Sequence, residues 1–95
     1  MSETEHLLVC LAEECSEVQK HCTKALRFGL DDRDPTVTGS LTERELLHGE
    51  LQHVFAVVEM LRDVLPLTLD RKEIERKKER VLHFMNYARN RGALE

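Results

Sequence analysis

Residues 42–66 read TERELLHGELQHVFAVVEMLRDVLP, and this stretch decides the fold. Thr42 has Glu45 three residues on, the pattern in which side chains close the free backbone groups of a helix's first turn. Pro66 ends it, because proline has no N–H to donate and its ring clashes with the preceding turn. Between them Leu47, Leu51, Val54, Val58, Leu61 and Leu65 recur in steps of three and four, the spacing of one helix face. A second stripe runs beside the first: Leu46, Glu50, His53, Val57, Met60 and Val64. Only Glu50 and His53 interrupt its apolar character. Two apolar stripes on one helix predict burial on two sides, as in a helix at the centre of a dimer.

The same spacing recurs on the N-terminal side. Leu8, Leu11, Cys15, Val18, Cys22 and Ala25 form a seam with coiled-coil-like steps. Ser2 with Glu5 fits a capping box, and Gly29 stands where helices commonly stop. The spacing predicts a first helix over about 4–28 and a second over about 42–65. The loop between them, 29–41, reads GLDDRDPTVTGSL. Loops this long in small domains tend to be functional or mobile. A third helix is expected over about 70–91, with Asp70 and Glu73 as its cap. Its first turns, RKEIERKKER, read as a solvated face. Val81, Leu82, Phe84, Met85, Tyr87 and Ala88 make its later part a docking surface.

Nothing in the chain alternates like a strand, so the expected fold is all-α: one domain, a bundle of three main helices. With 95 residues the bundle buries only a modest fraction of its surface. Completion by oligomerisation, as a homodimer or homotetramer, is therefore expected. Aromatic residues are 4% of the chain and Trp is absent, so Leu, Val, Ala and Met must fill the core. The net charge of -4 argues against an extended nucleic-acid surface. No run of about 18 apolar residues is present, which argues against a membrane span. The N-terminus has no basic region before its apolar run, so it does not read as a signal peptide. The three cysteines lie on one helix at separations that a straight helix cannot bridge. Reduced thiols in a cytoplasmic protein are the expectation.

Two polar pairs stand out against this apolar background. Glu13-Glu14-Cys15-Ser16-Glu17 places Glu14 and Glu17 on a stripe bordering the first seam, with Leu7, Cys10, His21 and Lys24. Glu50-Leu51-Gln52-His53 places Glu50 and His53 beside the second. Side chains three residues apart share a helix face, and carboxylates beside an apolar seam are costly without a partner. Packed antiparallel, the two helices would bring both pairs to one hard cation, which oxygen ligands suit. ExxE is common on solvated helices, so the second pair carries much of the weight. Glu13 falls off the stripe. His21, one turn after Glu17, reads as a polar residue rather than a ligand. Lys20 and Lys24 could neutralise a metal-bound polyphosphate, or simply pair with neighbouring acids. Asn86 and Arg89 offer donors on the third helix.

The string Leu11-Ala12-Glu13-Glu14-Cys15-Ser16-Glu17-Val18-Gln19-Lys20 resembles the first motif of MazG-like proteins. These are all-α nucleoside triphosphate pyrophosphohydrolases, related to dimeric dUTPases and phosphoribosyl-ATP pyrophosphatases. Their pattern is EExxE followed by ExxD, and Glu50-Leu51-Gln52-His53 stands in the ExxD place. The resemblance runs from about Leu8 to Arg91. The small size and compact loop also resemble phage-encoded members. The resemblance implies that Glu14, Glu17 and Glu50 ligate Mg²⁺, with His53 in the last ligand position. It implies cleavage of an NTP or dNTP to the monophosphate and pyrophosphate, with Lys20, Lys24, Asn86 and Arg89 contacting the nucleotide. Two departures stand against the pattern. The gap between the motifs is long, and His53 replaces a carboxylate, which shifts preference toward softer ions such as Mn²⁺. A nucleotide-binding module with impaired catalysis and a purely structural helical partner are the alternatives.

Overall fold

The structure, a computed structural model, describes all residues 1–95. It is all-helical: α1 spans Glu3–Phe28, α2 Glu43–Arg62 and α3 Arg71–Asn90. The sequence's capping residues set the starts. Thr42 and Glu45 form a complete reciprocal box, each side chain bonded to the other's backbone N–H. Ser2 and Asp70 form half-boxes, accepting from the N–H of Glu5 and Glu73. α1 stops at Gly29, whose φ of 103° lies where a Cβ would be strained. α2 ends three residues before the expected Leu65. The Val64 and Leu65 N–H groups then close a turn on Leu61 before Pro66.

The loop 29–41 is tied down at several points. The Glu43 and Arg44 N–H groups, which begin α2 without helical partners, donate to the Asp32 and Leu30 carbonyls at 3.1 and 2.8 Å. Arg44 pairs with Asp31, Arg33 donates to the Ser40 carbonyl, and Asp34 accepts from the Thr36 N–H and hydroxyl. Closing the loop onto the first turn of α2 fixes how that helix is rotated against α1.

α1 and α2 pack as an antiparallel hairpin. His21 meets Glu43 near the loop, and Glu14 meets Glu50 seven residues further from it on each helix. Leu7 and Leu61, the two buried apolar residues, lie toward the open end. This pairing keeps part of the expected seam: Leu11, Val18 and Ala25 on one side and Leu47, Val54, Val58 and Leu65 on the other are half-buried, and Leu61 is buried. Leu8, Cys15, Cys22 and Leu51, placed at its centre by the periodicity, are exposed. On α1 the enclosed strip also takes in Leu7, Cys10, Glu14, Glu17 and His21, the stripe that carries the acids, and its most buried members are Leu7 and His21. Periodicity marks which residues are apolar; the loop's hydrogen bonds select the face that meets the partner helix. The cysteines are free thiols, with Cys10 half-buried.

α3 packs on neither α1 nor α2 and has no buried residue. Its expected docking surface touches only the chain's own end, where the Ala93 and Leu94 N–H groups bond the Ala88 carbonyl. The radius of gyration is 17.1 Å, against about 12 Å for a compact chain of this length. The accessible surface is 7870 Å², against about 5,600 Å² for a folded monomer of this mass. No helix is long and apolar enough to cross a membrane.

Candidate metal centre

The middle of the α1–α2 seam is polar. Glu14 from α1 and Glu50 from α2 face each other and share a hydrogen bond between carboxyl groups. Such a bond needs a proton, and its effects are opposite on the two partners. The hydrogen bond to Glu50, then burial and the Glu50 charge, raise the Glu14 pKa above the ordinary carboxylate range. The same bond, with help from His53 and His21, holds Glu50 below it. Of the two, Glu14 is the one that holds a proton more readily, and the pair titrates as a unit.

His53 joins the pair from one turn further along α2. Its Nδ1 lies 3.2 Å from Glu50 Oε2 and 3.6 Å from Glu14 Oε2. The ring is exposed, whereas Glu50 retains only 19% of its side-chain exposure. One donor atom each from Glu14, Glu50 and His53 lie within 4.8 Å of one another, as do one each from Glu17, His21 and Glu50. Glu50 belongs to both groups. Glu13 is exposed, consistent with its place off the stripe.

This donor set fits a divalent cation. Glu50 meets Glu14 and His53 in one group and Glu17 and His21 in the other, and the charges of Glu50 and Glu17 help to raise the Glu14 pKa. A divalent ion would offset that repulsion and satisfy several oxygens at once. Hard carboxylate oxygens suit Mg²⁺ or Mn²⁺, and the imidazole shifts the balance toward the latter.

The other expected contacts divide. Lys20 is near the acids, 3.8 Å from Glu17. Lys24 is half-buried on the same stripe and faces the loop around Asp32, Arg33 and Asp34. Asn86 and Arg89 are not brought to the centre within one chain, because α3 stands apart. Arg89 instead donates to Asn86 at 3.3 Å and to the Glu95 carbonyl at 3.2 Å.

Two residues gain importance from the structure. His21, read from sequence as merely polar, is 6% exposed, and Glu43 is 8% exposed. Their side chains meet at 2.8 Å. A signal existed: His21 lies seven residues after Glu14 and Glu43 seven before Glu50, two helical turns along the same faces. No family model, no curated protein and no solved structure matches the chain.

Proposed function

We propose that this chain is a MazG-like, metal-dependent nucleotide pyrophosphohydrolase, cleaving an NTP or dNTP to the monophosphate and pyrophosphate, cytoplasmic and active as a homodimer or homotetramer. The observation that carries the reading is the meeting of Glu14, Glu50 and His53 across one antiparallel helix pair, with Glu17 beside Glu50 in an adjoining group. Their order and spacing are those of the two motifs that the sequence resembles.

Glu14, Glu17 and Glu50, with His53, would hold Mg²⁺ or Mn²⁺. The ion would supply charge neutralisation for the phosphates and a lowered pKa for the attacking water. The chain's own groups do the rest. Glu50, held ionised, anchors the site from α2. Glu14, which holds a proton more readily than an ordinary carboxylate, would have to release it to ligate the ion. Lys20 and Lys24 add positive charge along the same helix, where a triphosphate's outer oxygens need it. In the reaction the water oxygen would bond to the α-phosphorus, the bridging α–β P–O bond would break, pyrophosphate would leave and the water's proton would pass to solvent. Asn86 and Arg89 reach such a site only if α3 of a second copy lies over the hairpin, and the bare surface of α3 supports that assembly.

A specific observation favours a second reading, a nucleotide binder with weak turnover. His53 removes one negative oxygen ligand and is hydrogen-bonded to Glu50 rather than free. A panel of nucleotides with Mg²⁺ and Mn²⁺, read as pyrophosphate release and as thermal shift, separates the two. The enzyme releases pyrophosphate, and Glu50→Ala abolishes the release. Thermal stabilisation without any release establishes the binder. Neither response leaves a structural helical partner and sinks both.

A further inference from the structure

The net charge of -4 averages two unlike segments. Residues 1–70 hold fourteen acids against six Lys and Arg, whereas residues 71–95 hold eight Lys and Arg against four Glu. The basic segment is α3 with its tail, the helix that packs on neither α1 nor α2.

The cations are ordered on that helix. Lys72, Arg76, Arg80, His83, Tyr87 and Arg91 follow in steps of four, four, three, four and four, so they share one face over about 28 Å. All six are exposed. Like charges four residues apart destabilise a helix unless an opposite charge lies on them. Glu75 is engaged by Arg71 and Lys78 at 3.4 and 3.1 Å, and Glu73 by Arg76, whereas Lys72, Arg80 and Arg91 pair with no acid. The apolar stripe of α3, Ile74, Val81, Met85 and Ala88, lies about 140° round the helix. A second copy docked on that stripe leaves the cations outside. Two flat groups stand among the charges. The Arg91 guanidinium lies 5.0 Å over the Tyr87 ring, and His83 meets Phe84 edge to face at 5.2 Å.

We propose that this stripe of α3 binds a single strand of nucleic acid, with Lys72, Arg76, Arg80 and Arg91 on its phosphates and His83 against a base. Three observations select that occupant. A row of cations interleaved with flat side chains serves backbone charge and base stacking together, the combination that holds single strands. A duplex presents two rows of phosphates, and Glu75 and Glu79 on the flank of the stripe would repel the second. An anionic lipid surface needs an apolar face along the helix, and Arg71–Arg80 holds one apolar residue, Ile74. The contacts are to backbone and ring faces, so the surface takes any base sequence. It lies apart from the hairpin carboxylates and does not depend on reading those as a metal centre.

The test is fluorescence anisotropy of a labelled oligothymidylate of about 15 nucleotides with the full chain and a chelator, which removes any metal-held phosphate contact at the hairpin. Four phosphate contacts predict a log–log salt slope of about -3, a loss of about 50-fold in affinity between about 50 and 200 mM salt. Arg80→Ala should reduce that slope by about 0.7. His83→Ala should weaken binding about 5- to 150-fold with the slope unchanged. Both residues are exposed on a helix that packs on nothing, so neither change reaches the core. Glu50→Ala should bind as the native chain does. A dissociation constant above about 10⁻⁴ M at about 50 mM salt, tighter binding of the same sequence as a duplex, or equal binding of polyglutamate overturns the proposal. Capture by phosphatidylglycerol vesicles but not by the oligonucleotide assigns the stripe to lipid and overturns it as well. Pyrophosphate release at the hairpin is untouched by any of these results.

Discussion

The hairpin and its unpacked third helix predict that folding and association are one event. The chain exposes 7870 Å², about 2,200 Å² more than a folded monomer of its mass. If each of two chains buries that excess, the interface removes about 4,500 Å², within the range of obligate homodimers. The exposed apolar residues supply its material, with Phe55 56%, Phe84 60% and Tyr87 53% exposed. Dilution is the first perturbation. A hundredfold fall in concentration lowers dimer stability by about 2.7 kcal/mol. For a two-chain unit this shifts the melting temperature by about 5–11 °C. Phe84→Ala is the second. Full burial of a Phe contributes about 1.5–3 kcal/mol, of which its 60% exposure leaves roughly 1–2 kcal/mol to be gained on association. A two-fold interface counts the loss twice, weakening the dimer roughly 30- to 1,000-fold. Sedimentation equilibrium over a broad concentration range, with melting curves on the same samples, measures both. A particle of 11.0 kDa with a concentration-independent melting temperature would refute the reasoning.

Three further outcomes follow from the site and the caps. Glu14 has a raised pKa, so its neutral form is favoured by the fold: that stability is present below the ordinary carboxylate pKa and lost as pH rises through the raised value. Metal affinity should therefore increase as pH rises through that value, with proton release visible by calorimetry in buffers of different ionisation enthalpy; pH-independent affinity counts against Glu14 as a ligand. Thr42→Ala removes the hydroxyl that accepts from the Glu45 N–H and donates to the Glu45 carboxylate, leaving only the backbone N–H of residue 42 to Glu45, and should cost about 1 kcal/mol in chemical denaturation; an unchanged midpoint would show that the box is not felt in the folded state. Glu45 and Asp34 are both held below the ordinary range by hydrogen bonds, from Thr42 and Thr36 respectively. Their contribution is present above the ordinary pKa and lost as pH falls through the lowered values, so Thr36→Val should flatten part of the acid limb of the stability profile.

Local features were the legible part of the fold. Thr42, Asp70 and Gly29 act through hydrogen bonds within a few residues, and the sequence carries that chemistry directly. The seam was less legible. Leu8, Cys15 and Leu51 satisfy the helical period as well as Leu7 and Leu61 do, and period alone does not say which stripe meets α2. That choice lies in contacts between Leu30 and Arg44 and between Asp32 and Glu43, which cross a loop. The candidate site followed the same division. Glu14 and Glu50 could be read from paired motifs, whereas the partnership of His21 with Glu43 depends on the register between helices. α3 was legible as a helix but not as a free one, because its apolar end gives no sign of what it faces.

The sharing of the seam between apolar and acidic stripes also changes what the acids mean. Had Glu14 and Glu17 flanked an apolar seam, solvation could have satisfied them. Placed in the seam itself, they occupy positions where Leu or Val would bind the helices together, and α1 and α2 enclose only Leu7 and Leu61 as apolar residues. The hairpin thus gives enclosed positions to carboxylates and an imidazole and leaves Leu8, Leu51 and Phe55 outside. The two halves of that arrangement need each other. Cations in the seam would convert mutual repulsion into cross-linking between the helices, and a second copy would cover Leu8, Leu51 and Phe55. If the chain binds a metal and a second copy as proposed, each would contribute to its folding, and removing either should lower the melting temperature of the hairpin.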